Sequence, residues 1–234
     1  LFGFAFIFGM TGTTSIAGIA ERIGAIAGGY APLPMGLGMG IALVLTGVAF
    51  KIAAVPFHYW TPDAYQGSPT PVTGYLSVGP KVGAFALILR LFVETLGPLS
   101  DWWLPVMAVL AGLTMTLGNL VALTEENVKR MLAYSSIAHT GYMLVGVVAY
   151  AADPTGRTDG LAALLYYGAA YAFMNLGAFA VIAALQKRAG VTSALGTFAG
   201  LGRREPLLGL LMTLFLLSLT GIDRKSTRLN SSHV

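Results

Sequence analysis

Phe50-Lys-Ile-Ala-Ala-Val-Pro-Phe-His-Tyr-Trp-Thr-Pro-Asp-Ala-Tyr65, continued by Gln66-Gly-Ser-Pro-Thr-Pro-Val-Thr-Gly-Tyr-Leu-Ser-Val-Gly-Pro-Lys-Val-Gly83, is the stretch on which the fold turns. Lys51 lies inside one long apolar run and Lys81 near the middle of the next. Between them stand five prolines, a histidine and an aspartate. A charge placed in hydrocarbon costs roughly 2.5–3.5 kcal/mol on insertion scales. Two lysines flanking a proline-broken turn therefore need a reason, and the rest of the chain reads as their setting.

The chain has 234 residues, 56% hydrophobic and 10% charged, where a soluble domain carries about 25% charged residues. Mean hydropathy is +0.73. This is the composition of an integral membrane protein embedded in a lipid bilayer. A net charge of +4 is too small, and too spread along the chain, to suggest nucleic acid, and no nucleic-acid partner is expected. The absence of cysteine excludes disulfides and cysteine-held iron–sulfur clusters within the chain. Leu1 is already inside an apolar run, with no initiator Met and no basic n-region, so the expectation is a fragment that starts mid-protein.

Outward from the central stretch, the chain reads as all-α: five complete spans, a partial one at each end, and one proline-broken helix. Leu1–Met10 reads as the last half of a span. Ser15 is placed to cap a short amphipathic helix carrying Ile16, Ile19, Ile23 and Ile26, which should lie at the interface and end at Gly28-Gly29. Met35–Val55 is long enough to span, since about 20 residues cross ~30 Å of hydrocarbon. Its Gly36-Leu-Gly-Met-Gly40 resembles part of a dinucleotide loop but lacks the preceding strand and the third spaced glycine. Small-residue helix packing is the better reading. Pro56 breaks that helix. Thr61-Pro62-Asp63 reads as a new start with a threonine cap, and Thr70-Pro71 repeats the signal before Val72–Phe92. Irregular backbone near membrane depth demands cover by protein or a water cavity. Trp102–Leu123, Met131–Tyr150 and Leu161–Leu185 are further spans, joined by the charged loop Thr124–Arg130 and the polar turn Asp153–Asp159. Pro206–Ile222 begins a last one. Asp223–Val234 is unlike all that precedes it and resembles translated adapter read-through. We expect 1–222 to be the membrane domain and 223–234 a non-native tail.

Alternating spans put Lys129, Arg130, Lys187, Arg188, Arg203 and Arg204 on one side, and Arg22, Arg90 and Arg157 on the other. The richer side, which also holds the Pro56–Pro71 connection, is expected to be cytoplasmic.

Lys51 and Lys81 are the first candidates for chemistry, as proton-transfer groups. A lysine in a dry site trades its proton easily near neutral pH. Two of them ~10 Å apart, at an effective dielectric of ~20, would repel by about 1.7 kcal/mol, so loading one would weaken the other's hold. Snorkelling to the interface is the competing explanation, stronger for Lys51, about five residues from its span's end, than for Lys81. Ser135, Ser136, His139 and Tyr142 fall at helical spacing and would form a polar stripe able to relay protons. A histidine satisfied at a helix–helix contact is the alternative for His139. His58 could link Lys51 to the cytoplasmic surface, or belong to an interfacial aromatic cluster with Phe57, Tyr59 and Trp60. Packing hydrogen bonds explain Asn119 and Asn175. No carboxylate lies deep in a span, so the lysines are either largely neutral or paired with a group outside this sequence.

Two long motifs carry a family resemblance. Val55-Pro-Phe-His-Tyr-Trp-Thr-Pro-Asp-Ala-Tyr-Gln-Gly-Ser-Pro-Thr-Pro-Val-Thr73 and Val128-Lys-Arg-Met-Leu-Ala-Tyr-Ser-Ser-Ile-Ala-His-Thr-Gly-Tyr142 resemble signatures of the antiporter-like membrane subunits of respiratory complex I. Mrp-type cation/proton antiporters share the first. Tyr171-Ala-Phe-Met-Asn-Leu-Gly-Ala-Phe179, with Asn175 where the L-type branch would carry lysine, is similar to the N-type branch. The resemblance covers nearly all of Leu1–Ile222. It implies the middle of an inverted-repeat bundle of about fourteen helices. It implies that Lys51 matches the lysine on the broken helix and Lys81 the connecting lysine on the next. A paired glutamate is expected before Leu1 and a further lysine after Ile222. The resemblance also implies proton translocation driven by quinone reduction elsewhere in the complex, with other membrane subunits as partners, in a bacterial inner membrane. No cofactor is expected on this chain; NADH, FMN, iron–sulfur clusters and quinone belong to other subunits. A cation/proton antiporter and a membrane subunit with inert lysines are the rivals.

Overall fold

The computed structural model describes residues 1–29, 33–153, 157–189 and 192–219, the side chains of 157–159 and 189 excepted. The segment expected to be a non-native tail, 223–234, lies outside the described residues. Five helical stretches are long and apolar enough to cross a membrane: Met35–Ile52, Thr70–Thr95, Gly97–Ala122, Val128–Ala152 and Gly160–Arg188. They match the five spans read from the sequence. Among the described residues the β content is one isolated bridge between Asn127 and Ala194.

Helix α1 (Phe2–Thr11) meets α2 (Ile16–Ala27) at a 65° bend. Ser15 caps α2 by accepting from the Gly18 N–H at 3.5 Å, and Ile19 and Ile23 are buried while Ile16 is exposed. α3 (Met35–Ile52) lies against α1 across two glycines. A Cβ on Gly3 would stand 2.8 Å from the Gly40 carbonyl, and one on Gly40 3.1 Å from the Gly3 carbonyl. The Gly36–Gly40 run is therefore close helix packing, as read from its spacing.

After α3 come α4 (Trp60–Gly67), α5 (Thr70–Ile88) and a π-helical stretch, Leu89–Thr95, that carries α5 to its end. The start of α4 differs from expectation. It begins at Trp60 with Tyr59 at the N-cap, and the Thr61 hydroxyl is buried without a hydrogen bond. The Thr61 N–H already bonds the His58 carbonyl at 3.0 Å, so the helix opens two residues earlier and Pro62 still falls in its first turn. Thr70 is likewise no cap: its hydroxyl donates to Gln186 Oε1 at 2.5 Å, tying α5 to a neighbouring helix.

α6 (Ser100–Ala122) and α7 (Val128–Ala152) form a tight antiparallel pair. A Cβ on Gly118 would meet the Ala138 backbone nitrogen at 2.7 Å, and one on Gly141 the Met115 backbone nitrogen at 2.7 Å. Asn127 starts α7 by accepting from the N–H groups of Lys129 and Arg130 at 3.0 and 3.3 Å. Lys129 and Arg130 are thus in the first helical turn, not in the loop where their charge suggested. α8 (Arg157–Ala189), the short α9 (Leu201–Arg204) and α10 (Pro206–Leu219) complete the bundle.

The break between α3 and α4 is the feature that positions the site. Ala53 takes a left-handed conformation, φ 60°, which costs a non-glycine residue roughly 1–2 kcal/mol. The released backbone groups are met by side chains from two other helices. The Val55 N–H donates to Thr114 Oγ1 of α6 at 3.0 Å, and the Ile52 carbonyl lies 3.2 Å from Thr140 Oγ1 of α7. The Phe50 carbonyl accepts from Trp60 Nε1 at 3.0 Å. Thr114 and Thr140 are near the middles of their helices. The break therefore sits at mid-depth, and α4 completes the crossing that α3 begins. This corrects the expectation of a surface connection, while meeting the requirement for protein cover.

One end of the bundle gathers the connections. The Lys129 ammonium donates to the Gln66 and Ser68 carbonyls at 3.2 and 2.5 Å, the Val128 N–H to the Ser193 carbonyl at 2.8 Å, and the Leu195 N–H to the Glu126 carbonyl at 2.7 Å. At the other end α2 packs against residues 89–99. This agrees with the sidedness read from the lysines and arginines.

Candidate functional site

Lys81 follows Pro80 in the middle of α5 and is 3% exposed. Its ammonium donates to two oxygens of one residue on α7: the Ser136 carbonyl at 2.6 Å and the Ser136 hydroxyl at 2.5 Å. The Tyr171 ring of α8 lies with its centroid 5.8 Å from Nζ. Ser136 Oγ is 2.8 Å from Tyr171 Oη and 3.3 Å from Tyr65 Oη of α4. Tyr171 donates to the Ser77 carbonyl at 3.1 Å and accepts from Asn175 Nδ2 at 3.2 Å. Thr140 Oγ1 stands 3.0 Å from the Ser136 carbonyl. Four helices thus converge on one lysine with neutral groups only. Burying a charge this way is expensive unless hydrogen bonds replace water, and here hydroxyls and a carbonyl do so. Beside it, Lys81 forms part of the wall of a 320 Å³ apolar cleft with Phe85, Met143, Leu164 and Tyr171.

The other predicted carrier is placed differently. Lys51 is near the mid-depth break, not one turn from the surface, which removes the argument for snorkelling. Yet it is exposed in this chain, in a 550 Å³ groove bordered by Gly3, Val48, Pro80 and Leu87. Lys81 faces α7 and α8, while Lys51 faces the groove between α1, α3 and α5. The described residues hold no shared polar seam between them.

The polar stripe on α7 also divides. Ser135, His139 and Tyr142 line an open 770 Å³ cleft with Asn119 and Tyr167. Ser136 turns about 100° from Ser135 into the bundle, as one helical step requires, and reaches Lys81. His139 is 4% exposed; its Nδ1 is 2.6 Å from Tyr167 Oη, and its ring lies tilted against that of Tyr171, centroids 5.1 Å apart. Tyr142 Oη accepts from Asn119 Nδ2 at 2.7 Å. His58 packs edge-on to Tyr134 at 6.3 Å, with Nδ1 buried and lacking a hydrogen bond. It stands apart from the aromatic cluster, which is Phe50 with Tyr59 and Trp60.

Tyr65, Tyr171, Thr140 and Ser77 belong to the Lys81 cage and were not among the residues read as candidates. Asn175, assigned to packing, joins it. The i, i+4 spacing of Tyr171 and Asn175 was a usable signal; the approach of Tyr65 from α4 was not. Lys129, 4% exposed and holding the last carbonyls of α4, was read only as a loop charge. Among the described residues no group of three or more His, Asp or Glu side chains could hold a metal.

A family described as NADH:quinone oxidoreductase/Mrp antiporter, TM, matches residues 1–225. The chain is 46% identical over 222 residues to NADH-quinone oxidoreductase subunit N of Trichlorobacter lovleyi and 42% identical over 230 residues to that of Mycobacterium tuberculosis. Those alignments cover 95% and 97% of the chain but 44% and 41% of the relatives. The chain thus spans less than half the length of the curated relatives it matches. Among solved structures it is similar to a chain of respiratory complex I from Thermus thermophilus with bound aureothin (TM-score 0.70, 35% identity, 94% of this chain and 44% of that one). It is also similar to a chain of the Mrp complex from a Dietzia species (TM-score 0.79, 31% identity, 94% and 38%).

Proposed function

We propose that this chain, which belongs to the NADH:quinone oxidoreductase/Mrp antiporter transmembrane family, is the central part of a proton-translocating subunit of an NADH-quinone oxidoreductase. It is a multi-pass membrane protein, and bacterial relatives support a bacterial inner membrane as its location. Its partners are other membrane subunits of the same complex. Nicotinamide, flavin, clusters and quinone are handled by those and further subunits, and this chain contributes no redox step.

The observation that carries the reading is Lys81: a cation at mid-span, fully withdrawn from solvent, held by oxygens of one serine with no carboxylate hydrogen-bonded to it. A lysine with hydrogen-bonding oxygens around it and no fixed counter-charge is the arrangement a proton carrier needs. Lys51 is the second carrier, at the broken helix, and its groove is where the rest of the subunit would bring a partner. His58, His139, Ser135, Ser136 and Tyr142 are the relay candidates. Of these, Ser136 touches a lysine, and His139 adjoins it through Tyr171.

The test is NADH-driven proton uptake by the full-length subunit in its assembled complex, reconstituted in vesicles. Lys81→Ala and Lys51→Ala are expected to leave assembly intact and to slow pumping by about tenfold or more, the equivalent of ~1.4 kcal/mol in the barrier. Wild-type pumping in both would leave the lysines inert.

A second reading, a cation/proton antiporter subunit, is favoured by the similarity to the Mrp complex. It uses the same lysines without redox. A sodium gradient imposed on vesicles without NADH would then acidify or alkalise them, and the primary reading expects no such response.

A further inference from the structure

The groove at the foot of α10 has a chemistry that proton transfer does not use. It encloses 520 Å³ where the start of α7, residues 195–202 and α10 meet. Met131 of α7, Phe198 and Leu201 of the connection, and Met212 and Leu216 of α10 make its walls apolar, and Arg203 stands in the same wall. A Cβ on Gly209 would lie 3.1 Å from the Gly202 Cα. α9 therefore rests directly on the first turns of α10 and carries Arg203 to the end of the groove where α10 begins. Arg203 and Arg204 are both exposed, and neither is ion-paired among the described residues, with Glu126 and Glu205 included.

Depth and charge together identify an occupant. From Pro206 to Leu216 α10 rises roughly 15 Å at 1.5 Å per residue, half of the ~30 Å hydrocarbon core. The groove is thus one leaflet deep, apolar along its length, with a guanidinium at the headgroup end on the cytoplasmic side. An empty apolar groove forfeits the contacts of its lining, so in a bilayer hydrocarbon fills it. An arginine fork at headgroup level takes phosphate oxygens in pairs. One molecule meets both demands. We propose that this groove binds an anionic phospholipid of the cytoplasmic leaflet, with its phosphate on Arg203 and one acyl chain along α10 from Met131 to Leu216. Lys187, Arg188 and Arg204 lie at the same end of the bundle, outside the groove wall. They strengthen the attraction to anionic lipid, whereas a zwitterionic headgroup brings a cation of its own that they repel. The inference does not rest on proton transport, because a subunit with inert lysines would bind the same lipid.

The test uses the full-length subunit in its assembled complex, in vesicles doped with photoactivatable phosphatidylglycerol or, in parallel, phosphatidylcholine with the same acyl chains. Adducts are mapped by mass spectrometry. Phosphatidylglycerol should mark residues 198–216 about fivefold more than phosphatidylcholine, or better. Arg203→Gln loses a phosphate contact as well as a charge and should cut that marking by about tenfold or more. Arg204→Gln loses a charge alone and should cut it by no more than about fivefold. Thr213→Phe fills the apolar half from an exposed position of the wall and should clear the adducts from 198–216. Equal marking by the two lipids, or equal loss in the two arginine variants, overturns the proposal. So does the absence of adducts at 198–216 with either lipid, which would mean that other parts of the complex cover the groove.

Discussion

At the scale of single residues, the molecule spends its most expensive contact on Lys81. A lysine held only by a carbonyl, a serine hydroxyl and an aromatic face gains less than one held by a carboxylate. If its role is transport, replacing it by a side chain of similar volume should not harm the fold. Lys81→Met is expected to leave thermal stability in detergent unchanged or raised, by up to about 3 kcal/mol on the insertion scale, while pumping is lost. A large fall in stability would mark the ammonium as a structural bolt. Both lysines were legible in the sequence because a charge in an apolar run is conspicuous by itself, and Ser136 because it falls at helical spacing with other polar residues. Tyr65, Thr140 and Ser77 were not. Tyr65 meets the cage from α4 and Thr140 from α7, and spacing along α5 says nothing about who stands opposite; Ser77, one turn before Lys81 on α5, takes part through its carbonyl, which no side-chain pattern reports. The same blindness made one stripe of Ser135, Ser136, His139 and Tyr142, although one helical step sends Ser136 inward and leaves the others on the cleft.

At the scale of elements, α4 has little backbone of its own, eight residues hung from a broken helix. Two adjacent side chains of α7 hold it. Lys129 is buried and caps the Gln66 and Ser68 carbonyls at the C-terminal end of α4, where a cation also meets the favourable end of the helix dipole. Arg130 reaches Asp63 at 2.5 Å, but that aspartate side chain is 78% exposed. Buried hydrogen bonds to a charged group are worth about 1.5–3 kcal/mol, whereas exposed ion pairs give about 0–1 kcal/mol. Lys129→Ala should therefore loosen α4, and with it the Tyr65 contact to Ser136, far more than Arg130→Ala. Protease or hydrogen-exchange access to residues 60–68 would measure this, and equal effects would contradict it. The break itself was legible from Pro56 and its neighbours, but its depth was not. Depth is set by Thr114 and Thr140, which take up the freed backbone groups from the middles of α6 and α7. Likewise the start of α7 was misplaced because the charges of Lys129 and Arg130 looked like loop, while Asn127 was the local cap.

At the scale of the whole molecule, sidedness follows from packing as well as from charge. Residues 66–70, 124–128 and 193–195 meet at one end, and α2 with 89–99 at the other. The sequence has no cysteine, so single cysteines report cleanly. Cysteines at Glu126 and Thr197 should react with an impermeant reagent from the cytoplasmic face, and one at Gly97 from the opposite face. Labelling of 97 and 126 from the same side would break the topology. The bundle as a whole was legible because hydropathy reports length in a bilayer directly. What it could not report is that the two lysines look out in different directions from α3 and α5. The account therefore stands or falls on whether Lys81 changes charge while the complex works. The most direct measurement is the isotope-edited infrared difference spectrum of Lys81 between resting and NADH-driven complex. The account predicts that the ammonium band changes on turnover and that the change disappears in Lys81→Met. An ammonium band identical at rest and in turnover would contradict it.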